Sequence, residues 1–193
     1  MVTRRASKRD SIVEAAARLI RTEGVHAASI SEIIAESGSS AGTIYHHFAN
    51  KNEIVLAVAR LTVVEPLSEV LARRDGEIMS PGDMLRMIVS TVIKGDVESA
   101  LIVQLWAGSS MDPQLKDILR EQLAGVRAEM VTMLQRWLRE QGVPCAGDRA
   151  VTLAHVTMGL AMGLLAERTI LPDLDKDAYV TQAVRLLDAA GRL

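Results

Sequence analysis

A short helix, a tight turn and a second short helix are predicted between residues 29 and 51, and this stretch most constrains the fold. Ser29 is placed to cap the first helix, and Glu32, three residues on, completes a capping box. Gly38 is expected to end that helix, because glycine tolerates the left-handed backbone of a C-terminal cap. After the turn, residues 41–48 form about two helical turns. Two short helices crossed at a glycine-containing turn are typical of a helix-turn-helix.

The second of these helices carries an unusual concentration of rings. Two of the chain's five aromatic residues and two of its four histidines lie in segment 45–48. Phe48 can anchor a small core, but the helix is too short to bury the rest. Thr43, Tyr45 and His46 are therefore expected at the surface, where their hydroxyl and N–H groups suit phosphate oxygens.

Residues 10–60 resemble the N-terminal domain of the TetR family of bacterial transcription regulators. The run Ala-Gly-Thr-Ile-Tyr-His-His-Phe, followed by Asn-Lys-Asn-Glu, is specific to that family. The resemblance implies that the second helix enters the major groove of DNA. Gly42 would permit close approach, Thr43 and Tyr45 would reach base edges or phosphates, and His46 would contact phosphate.

The same resemblance implies further contacts with the DNA backbone. Lys51 would pair with phosphate, and Ser29 and Ser40 would contact phosphates at helix N-termini. His47 could face either inward or toward the DNA. The family usually has an aliphatic residue where this chain has Ser39, so we expect a looser turn and an extra hydroxyl near the DNA face.

The distribution of charge also favours an N-terminal nucleic-acid site. The net charge is −2, but residues 1–51 carry seven basic and five acidic side chains, against 15 and 19 in the remainder. Four of the seven cations precede the first helix, and a local basic arm concentrates DNA at one end of a protein. A solvated, disordered terminus is the alternative interpretation. The four residues are Arg4, Arg5, Lys8 and Arg9.

The composition is that of a folded globular protein, and the family resemblance implies the bacterial cytoplasm, with association with the nucleoid when the protein is bound to DNA. The chain has 193 residues, of which 49% are hydrophobic and 24% charged. Cys145 is the only cysteine, which excludes an intramolecular disulfide and fits a reducing compartment. The N-terminus lacks the apolar core of a signal peptide. The longest apolar run, residues 150–166, is short for a membrane span and is interpreted as a buried or interface helix.

Apolar periodicity throughout the chain predicts an all-α fold of about nine helices. A three-helix head, residues 1–51, is followed by a larger helical body, residues 52–193, for ligand binding and dimerisation. The connector helix from residue 51 to about residue 72 is apolar nearly all round, so it should belong to the cores of both parts. Pro66 should kink it or interrupt its hydrogen bonds.

The body contains a candidate dimer interface on its penultimate helix. Gly159 and Gly163 lie four residues apart, where small residues let helices approach closely, and Leu160 and Leu164 accompany them. An internal helix contact within one chain is the alternative. The family resemblance favours a homodimer, which would read a two-fold symmetric, palindromic operator in duplex DNA.

The body also contains a candidate effector pocket. The chain has nine methionines, and methionine adapts to variable apolar ligands, although ordinary core packing is the alternative for each of them. The family resemblance implies an effector pocket, for a small apolar or amphipathic molecule. Its candidate residues are Trp106, Met130, Met133 and Trp137.

Other chemistry finds no support in the sequence. Metal-ligand spacing, a nucleophile elbow and a phosphate-binding glycine pattern are all missing, so neither a catalytic residue nor a cofactor is expected. The predicted function is that of a ligand-responsive transcriptional regulator, a repressor, that binds its operator as a dimer. A helical protein-interaction module without specific DNA binding is the alternative.

Overall fold

Helices are the only regular elements in residues 7–92 and 96–192, the parts of the chain that the computed structural model describes. The helices α4 and α5 and the π-helical turn between them form one continuous rod, so the described ranges contain nine helical rods. The predicted all-α fold is confirmed. The elements are α1 (Lys8–Ala27), α2 (Ile30–Ser37), α3 (Ala41–His47), α4 (Lys51–Ala59), the π turn (Arg60–Val64), α5 (Glu65–Arg73), α6 (Pro81–Val92), α7 (Asp96–Met111), α8 (Pro113–Glu140), α9 (Ala146–Ile170) and α10 (Lys176–Arg192).

Local signals in the sequence set the ends of the first helices. Gly24 has φ 85° and ψ 165°, which interrupts the helical backbone near the end of α1. Ser29 and Glu32 form the predicted capping box at the start of α2. Gly38, with φ 62°, ends α2 in the left-handed conformation that glycine adopts without a steric cost.

Two hydrophobic cores organise the molecule, and the connector contributes to both. The first contains the inward faces of α1–α4, including Ile12 and Ile54, and the second joins the body helices with Leu67 and Leu71 of α5. The core of the head is not closed on itself, because α7 and α8 insert leucines into it. These are Leu101, Leu105, Leu115 and Leu119.

The π turn lies between the two cores, immediately before Pro66. The Glu65 N–H donates to the carbonyl of Arg60, five residues back rather than four. Proline has no N–H, and in an α-helix its ring collides with the carbonyl four residues earlier. A wider turn moves that carbonyl away from the ring, so the predicted interruption takes the form of a π turn.

By its length and composition alone, helix α9 could cross a membrane, since an 18-residue segment of it has a mean hydropathy of 1.4. Its inner face, including Leu153, Ala161 and Leu164, packs into the core of the body. Its outer face includes Val151 and Val156, which are half exposed. This arrangement agrees with the interpretation as a buried or interface helix.

Candidate nucleic-acid interface

Helix α3 is fixed to the head by two buried side chains and one cap. Ile44 is 0% exposed and Phe48 is 3% exposed, and both pack into the core of the head. The Ser40 Oγ accepts a hydrogen bond from the Thr43 N–H at 3.1 Å, which caps the N-terminus of α3. A seven-residue helix has little stability of its own, so these contacts determine its orientation.

The solvent side of α3 carries three of the predicted DNA-contacting residues. Gly42, Tyr45 and His46 are exposed and lie on one face by their i, i+3, i+4 spacing. The Tyr45 side chain is 57% exposed although it is aromatic. Thr43 is half-buried at the edge of this face, with its hydroxyl 2.9 Å from the Ser40 Oγ.

The fold itself does not require a glycine at position 42. A Cβ built there would meet its nearest heavy atom, the Ser40 Oγ, at 3.9 Å, which is ordinary van der Waals contact. The absence of a side chain therefore leaves open a surface that a partner can approach closely.

The sequence left open whether His47 faces inward or toward the DNA, and the structure gives it an intermediate position. It is half-buried, and its ring centroid lies 6.4 Å from that of Phe48 and 5.1 Å from that of His46, both in edge-on arrangements. The His47 ring thus lies against the buried anchor of α3 while keeping part of its surface in solvent.

Ser29 acts first as a helix cap. Its Oγ accepts the Glu32 N–H at 3.2 Å and lies 2.9 Å from the Ser31 Oγ, and its own N–H donates to the Glu32 carboxylate at 2.7 Å. These hydrogen bonds from Ser29 hold the pKa of Glu32 below its ordinary value. The carboxylate occupies the N-terminus of α2, which places a negative charge beside the predicted phosphate contact of Ser29.

Lys51 ties the start of α4 to the end of α1. Its Nζ donates to the carbonyl oxygen of His26 at 3.0 Å. Burial lowers the pKa of Lys51, and the nearby carboxylates of Asp112 and Glu32 oppose that shift. An ammonium group has three donors, so the contact with His26 leaves two for a phosphate.

The expectation that the Ser39 hydroxyl lies near the DNA face is wrong. Its side chain is 7% exposed, and within the described residues its hydroxyl has no hydrogen-bond partner. The turn therefore directs the side chain of residue 39 into the head. The extra hydroxyl therefore lies in the interior and not near the DNA face.

The described part of the basic arm reaches the end of α3. The Arg9 guanidinium lies 5.2 Å from the centroid of the Phe48 ring, a cation–π distance. Lys8 and Arg9 are exposed at the first turn of α1. Arg4 and Arg5 lie outside the described residues. Charge alone predicted the arm, but nothing in the sequence predicted that Arg9 would stack on the anchor of the recognition helix.

The candidate dimer residues divide between the two faces of α9. Leu164 is 0% exposed in the body core, so its assignment to an intermolecular interface is wrong: the helix turns it inward. Gly159 faces open space, Leu160 is half-buried, and a Cβ at Gly163 would lie 3.5 Å from the Tyr179 hydroxyl.

An apolar groove of 570 Å³ runs between α9 and α10. No local pattern in the sequence predicted it, because one wall comes from residues 148–160 and the other from residues 186–190. Val156 and Leu186, which are 46% and 69% exposed, stand in this groove with Leu160 and Thr152.

The structure brings together three of the four candidate pocket residues. Met130, Met133 and Trp137 are buried in the core of the body, and α10 lies against Trp137 at Gly191. Trp106 is 52% exposed and takes no part in that core, so its place in the group is wrong. On α7 the neighbours Leu101 and Leu105 face the core of the head, and the helix turns Trp106 outward.

Known proteins with this organisation are transcription regulators. Residues 12–58 match the model of the family described as bacterial regulatory proteins, tetR family. The HTH-type transcriptional regulator UidR of Escherichia coli (strain K12) is 25% identical over 190 residues, which cover 97% of this chain and 94% of that protein. The solved structure of Salmonella enterica GusR has a TM-score of 0.79 at 20% identity, covering 100% of this chain and 99% of that one.

A second solved structure, the fatty acid degradation regulator FadR from Bacillus halodurans, has a TM-score of 0.75 at 19% identity and covers 96% of each chain. Both structural matches show the same fold in head and body. The family model coincides with the helix-turn-helix and the first part of the connector. Residues 12–58 thus match the tetR family of bacterial regulatory proteins, and over nearly its whole length the chain is similar to an HTH-type transcriptional regulator.

Proposed function

We propose that this regulator is a cytoplasmic, ligand-responsive repressor that binds a two-fold symmetric operator as a homodimer and is released by a small apolar or amphipathic effector. The exposed face of α3 carries the proposal. Gly42, Tyr45 and His46 form a surface with one position open to close approach and two donor side chains beside it. This combination suits entry into the major groove of duplex DNA.

The boundary between head and body is proposed at residue 51, with residues 1–51 reading DNA and residues 52–193 binding ligand and forming the dimer. The groove between α9 and α10 supports the dimer. Val156 and Leu186 expose large apolar side chains there, and an exposed apolar patch is typical of a protein interface. Homodimers are usually two-fold symmetric, and their operators share that symmetry.

The effector site is proposed around Met130, Met133 and Trp137. These side chains lie in the body core, and methionines can rearrange to admit a ligand. A ligand that displaces them would shift the connector, because α5 belongs to the same core and α4 belongs to the core of the head. Coupling between two such sites is typically about 1–3 kcal/mol, or roughly 5–150-fold in DNA affinity.

The function is tested by selecting duplexes from a random pool with the purified full-length chain. We expect a two-fold symmetric consensus that binds more tightly than a scrambled duplex. Tyr45→Ala should weaken binding to the selected duplex by about tenfold, since a side chain that reads a base edge contributes roughly 1–3 kcal/mol. Leu61→Ala is the control, because Leu61 is similarly exposed but lies on the π turn.

Failure to enrich any duplex would contradict specific DNA binding and favour a helical protein-interaction module. An effect of Leu61→Ala as large as that of Tyr45→Ala would exclude Tyr45 from the DNA contact.

A further inference from the structure

A polar contact joins the first turn of α4 to the start of the longest described helix, α8. The Asn52 Nδ2 donates to the Asp112 Oδ2 at 3.2 Å and to the Gln114 Oε1 at 3.3 Å. We refer to Asn52, Asp112 and Gln114 as the α4–α8 latch. Asn52 is the second residue of α4, and only three residues separate the end of α3 from the start of α4. The latch therefore acts close to the recognition helix.

The α8 side of the latch is fixed by the fold. Asp112 caps α8, with its Oδ1 accepting the Leu115 N–H at 3.1 Å. The hydrogen bond from the Leu115 N–H, assisted by that from Asn52, holds the pKa of Asp112 below its ordinary value, so the latch contains a carboxylate at neutral pH. Leu115 is 0% exposed in the core of the head, beside residues of α4.

The other end of α8 lies in the body. Helix α8 has 28 residues and spans roughly 42 Å at 1.5 Å per residue. Met130, Met133 and Trp137 lie in its second half. One helix thus connects the core of the body, and the effector site proposed in it, with the first turn of α4.

We propose that Asn52 is a positioning residue that fixes the recognition helix relative to α8 and thereby determines the spacing between operator half-sites that the dimer accepts. The inference rests on the proposed function, since half-site spacing has a meaning only for a dimer that reads a symmetric site. In the dimer, the distance between the two α3 helices depends on how each head is held on its body. The latch restrains that angle by hydrogen bonds at a point next to α3.

The contact can be broken and restored without removing the helix cap. Asn52→Asp places a second carboxylate against Asp112, and like charges at hydrogen-bond distance repel. Adding Asp112→Asn returns an amide donor and a carboxylate acceptor to the contact with their positions exchanged. Asparagine is as good an N-cap as aspartate, so α8 keeps its cap in the double variant. Asp112→Asn alone controls for the change at the cap.

The experiment measures binding of the full-length dimer to the duplex that the wild-type chain selects from random DNA, and to duplexes with one base pair inserted or removed at its centre. We expect the wild type to prefer the original spacing by about tenfold, and the Asn52→Asp variant to prefer it by about threefold or less, because hydrogen bonds at the latch no longer resist the change of angle. The double variant should recover the wild-type preference.

A loss of affinity by the same factor at every spacing would overturn the inference, because it would mean that Asn52 contributes only to stability. An unrecovered preference in the double variant would also overturn it. If the wild-type chain selects no symmetric duplex, the proposed function itself fails and this inference fails with it. A sharp wild-type preference that Asn52→Asp leaves unchanged contradicts the inference alone.

Discussion

Gly42 lies in the first turn of α3, where the chain has room for a larger side chain. The nearest atom to a Cβ at this position is 3.9 Å away, and the backbone is not in the left-handed region. Glycine in a helix is less stable than alanine by about 1 kcal/mol, so the fold gains nothing from it here. A requirement from the bound partner explains the residue better than a requirement of the fold.

Gly42→Ala should therefore separate stability from binding. We expect the free energy of unfolding to rise by up to about 1 kcal/mol and the affinity for the selected duplex to fall about tenfold or more, as the methyl group meets the DNA. Gly38→Ala is the control, since its φ of 62° disfavours alanine and should lower stability. Urea unfolding and fluorescence anisotropy measure the two quantities. Unchanged DNA affinity in Gly42→Ala would remove this position from the interface.

Ser39 and Ser40 are adjacent serines with opposite roles. The Ser39 hydroxyl is buried without a partner among the described residues, and a buried unpaired hydroxyl costs about 1–3 kcal/mol. The Ser40 hydroxyl caps α3. We expect Ser39→Ala to raise the free energy of unfolding by about 1 kcal/mol and Ser40→Ala to lower it by about 1 kcal/mol. Urea unfolding of the two variants compares them; equal destabilisation would mean that Ser39 has a partner.

Lys51 has a structural contact and a predicted contact with phosphate. If it meets phosphate in the complex, Lys51→Ala should reduce the slope of log K against log salt by about one unit. Its bond to the His26 carbonyl predicts an additional loss of stability. An unchanged salt slope would assign Lys51 to the structural contact alone.

At this scale the sequence predicts which residue types carry function, but not the direction of every side chain. Thr43, Tyr45 and His46 were expected at the surface from the shortness of α3; Tyr45 and His46 are exposed, and Thr43 is half-buried. Ser39 and Leu164 were placed on outer surfaces and are buried. Their direction depends on the crossing angle of neighbouring helices, which local periodicity does not encode.

At the scale of the elements, α2 and α8 each have a carboxylate that accepts a hydrogen bond at the helix N-terminus. Glu32 accepts the Ser29 N–H, and Asp112 accepts the Leu115 N–H. These hydrogen bonds stabilise the ionised forms and lower the pKa of both groups. Lowered pKa values mean that the folded chain binds fewer protons than the unfolded chain on the acid side.

The caps therefore predict a loss of stability on acidification. Their contribution is complete above the ordinary carboxyl pKa of about 4 and is lost as the pH falls through the lower pKa of the folded state. A Glu32→Gln, Asp112→Asn double variant keeps both caps but not the charges, so its stability should fall less between neutral pH and pH of about 3. Glu140→Gln, at the end of α8, is the control and should follow the wild type. Equal acid sensitivity of all three proteins would contradict this role of the caps.

Most helices could be predicted, because the residues at their ends determine where they begin and end. Ser29, Gly38 and Asp112 begin or end helices where their side chains or backbone freedom predict. The sequence could not predict that the interruption would be a π turn, since Pro66 requires only that the carbonyl four residues earlier be moved away from its ring. Whether a rod kinks, breaks or widens depends on the cores at its two ends, which here hold α4 and α5 in place.

At the scale of the whole molecule, head and body share a continuous set of helices. The leucines that α7 and α8 place in the core of the head mean that the head is not an independent three-helix unit. A movement of the body core can therefore reach α3 through α7 and α8 as well as through the connector. The hydrogen bond from Asn52 to Asp112 joins residues 60 positions apart, and no pattern in the sequence predicted it.

The groove between α9 and α10 predicts how the dimer can be broken. Val156→Asp combined with Leu186→Asp should weaken dimerisation by roughly a hundredfold or more, since an unpaired charge in an interface costs about 3–5 kcal/mol. Ile78→Asp is the control, because Ile78 is 48% exposed in the loop before α6, outside the groove. Sedimentation equilibrium measures the association. A double variant that remains a dimer at the wild-type concentration would place the interface elsewhere.

The central claim is that the head reads duplex DNA. The most direct measurement is the affinity of the full-length chain for its selected duplex and for a scrambled duplex of equal length, titrated across salt concentrations. We expect both affinities to fall with salt, because basic side chains displace counterions from phosphates, and we expect a preference for the selected duplex to persist at every salt concentration. Equal and weak binding to the two duplexes at all salt concentrations would contradict it.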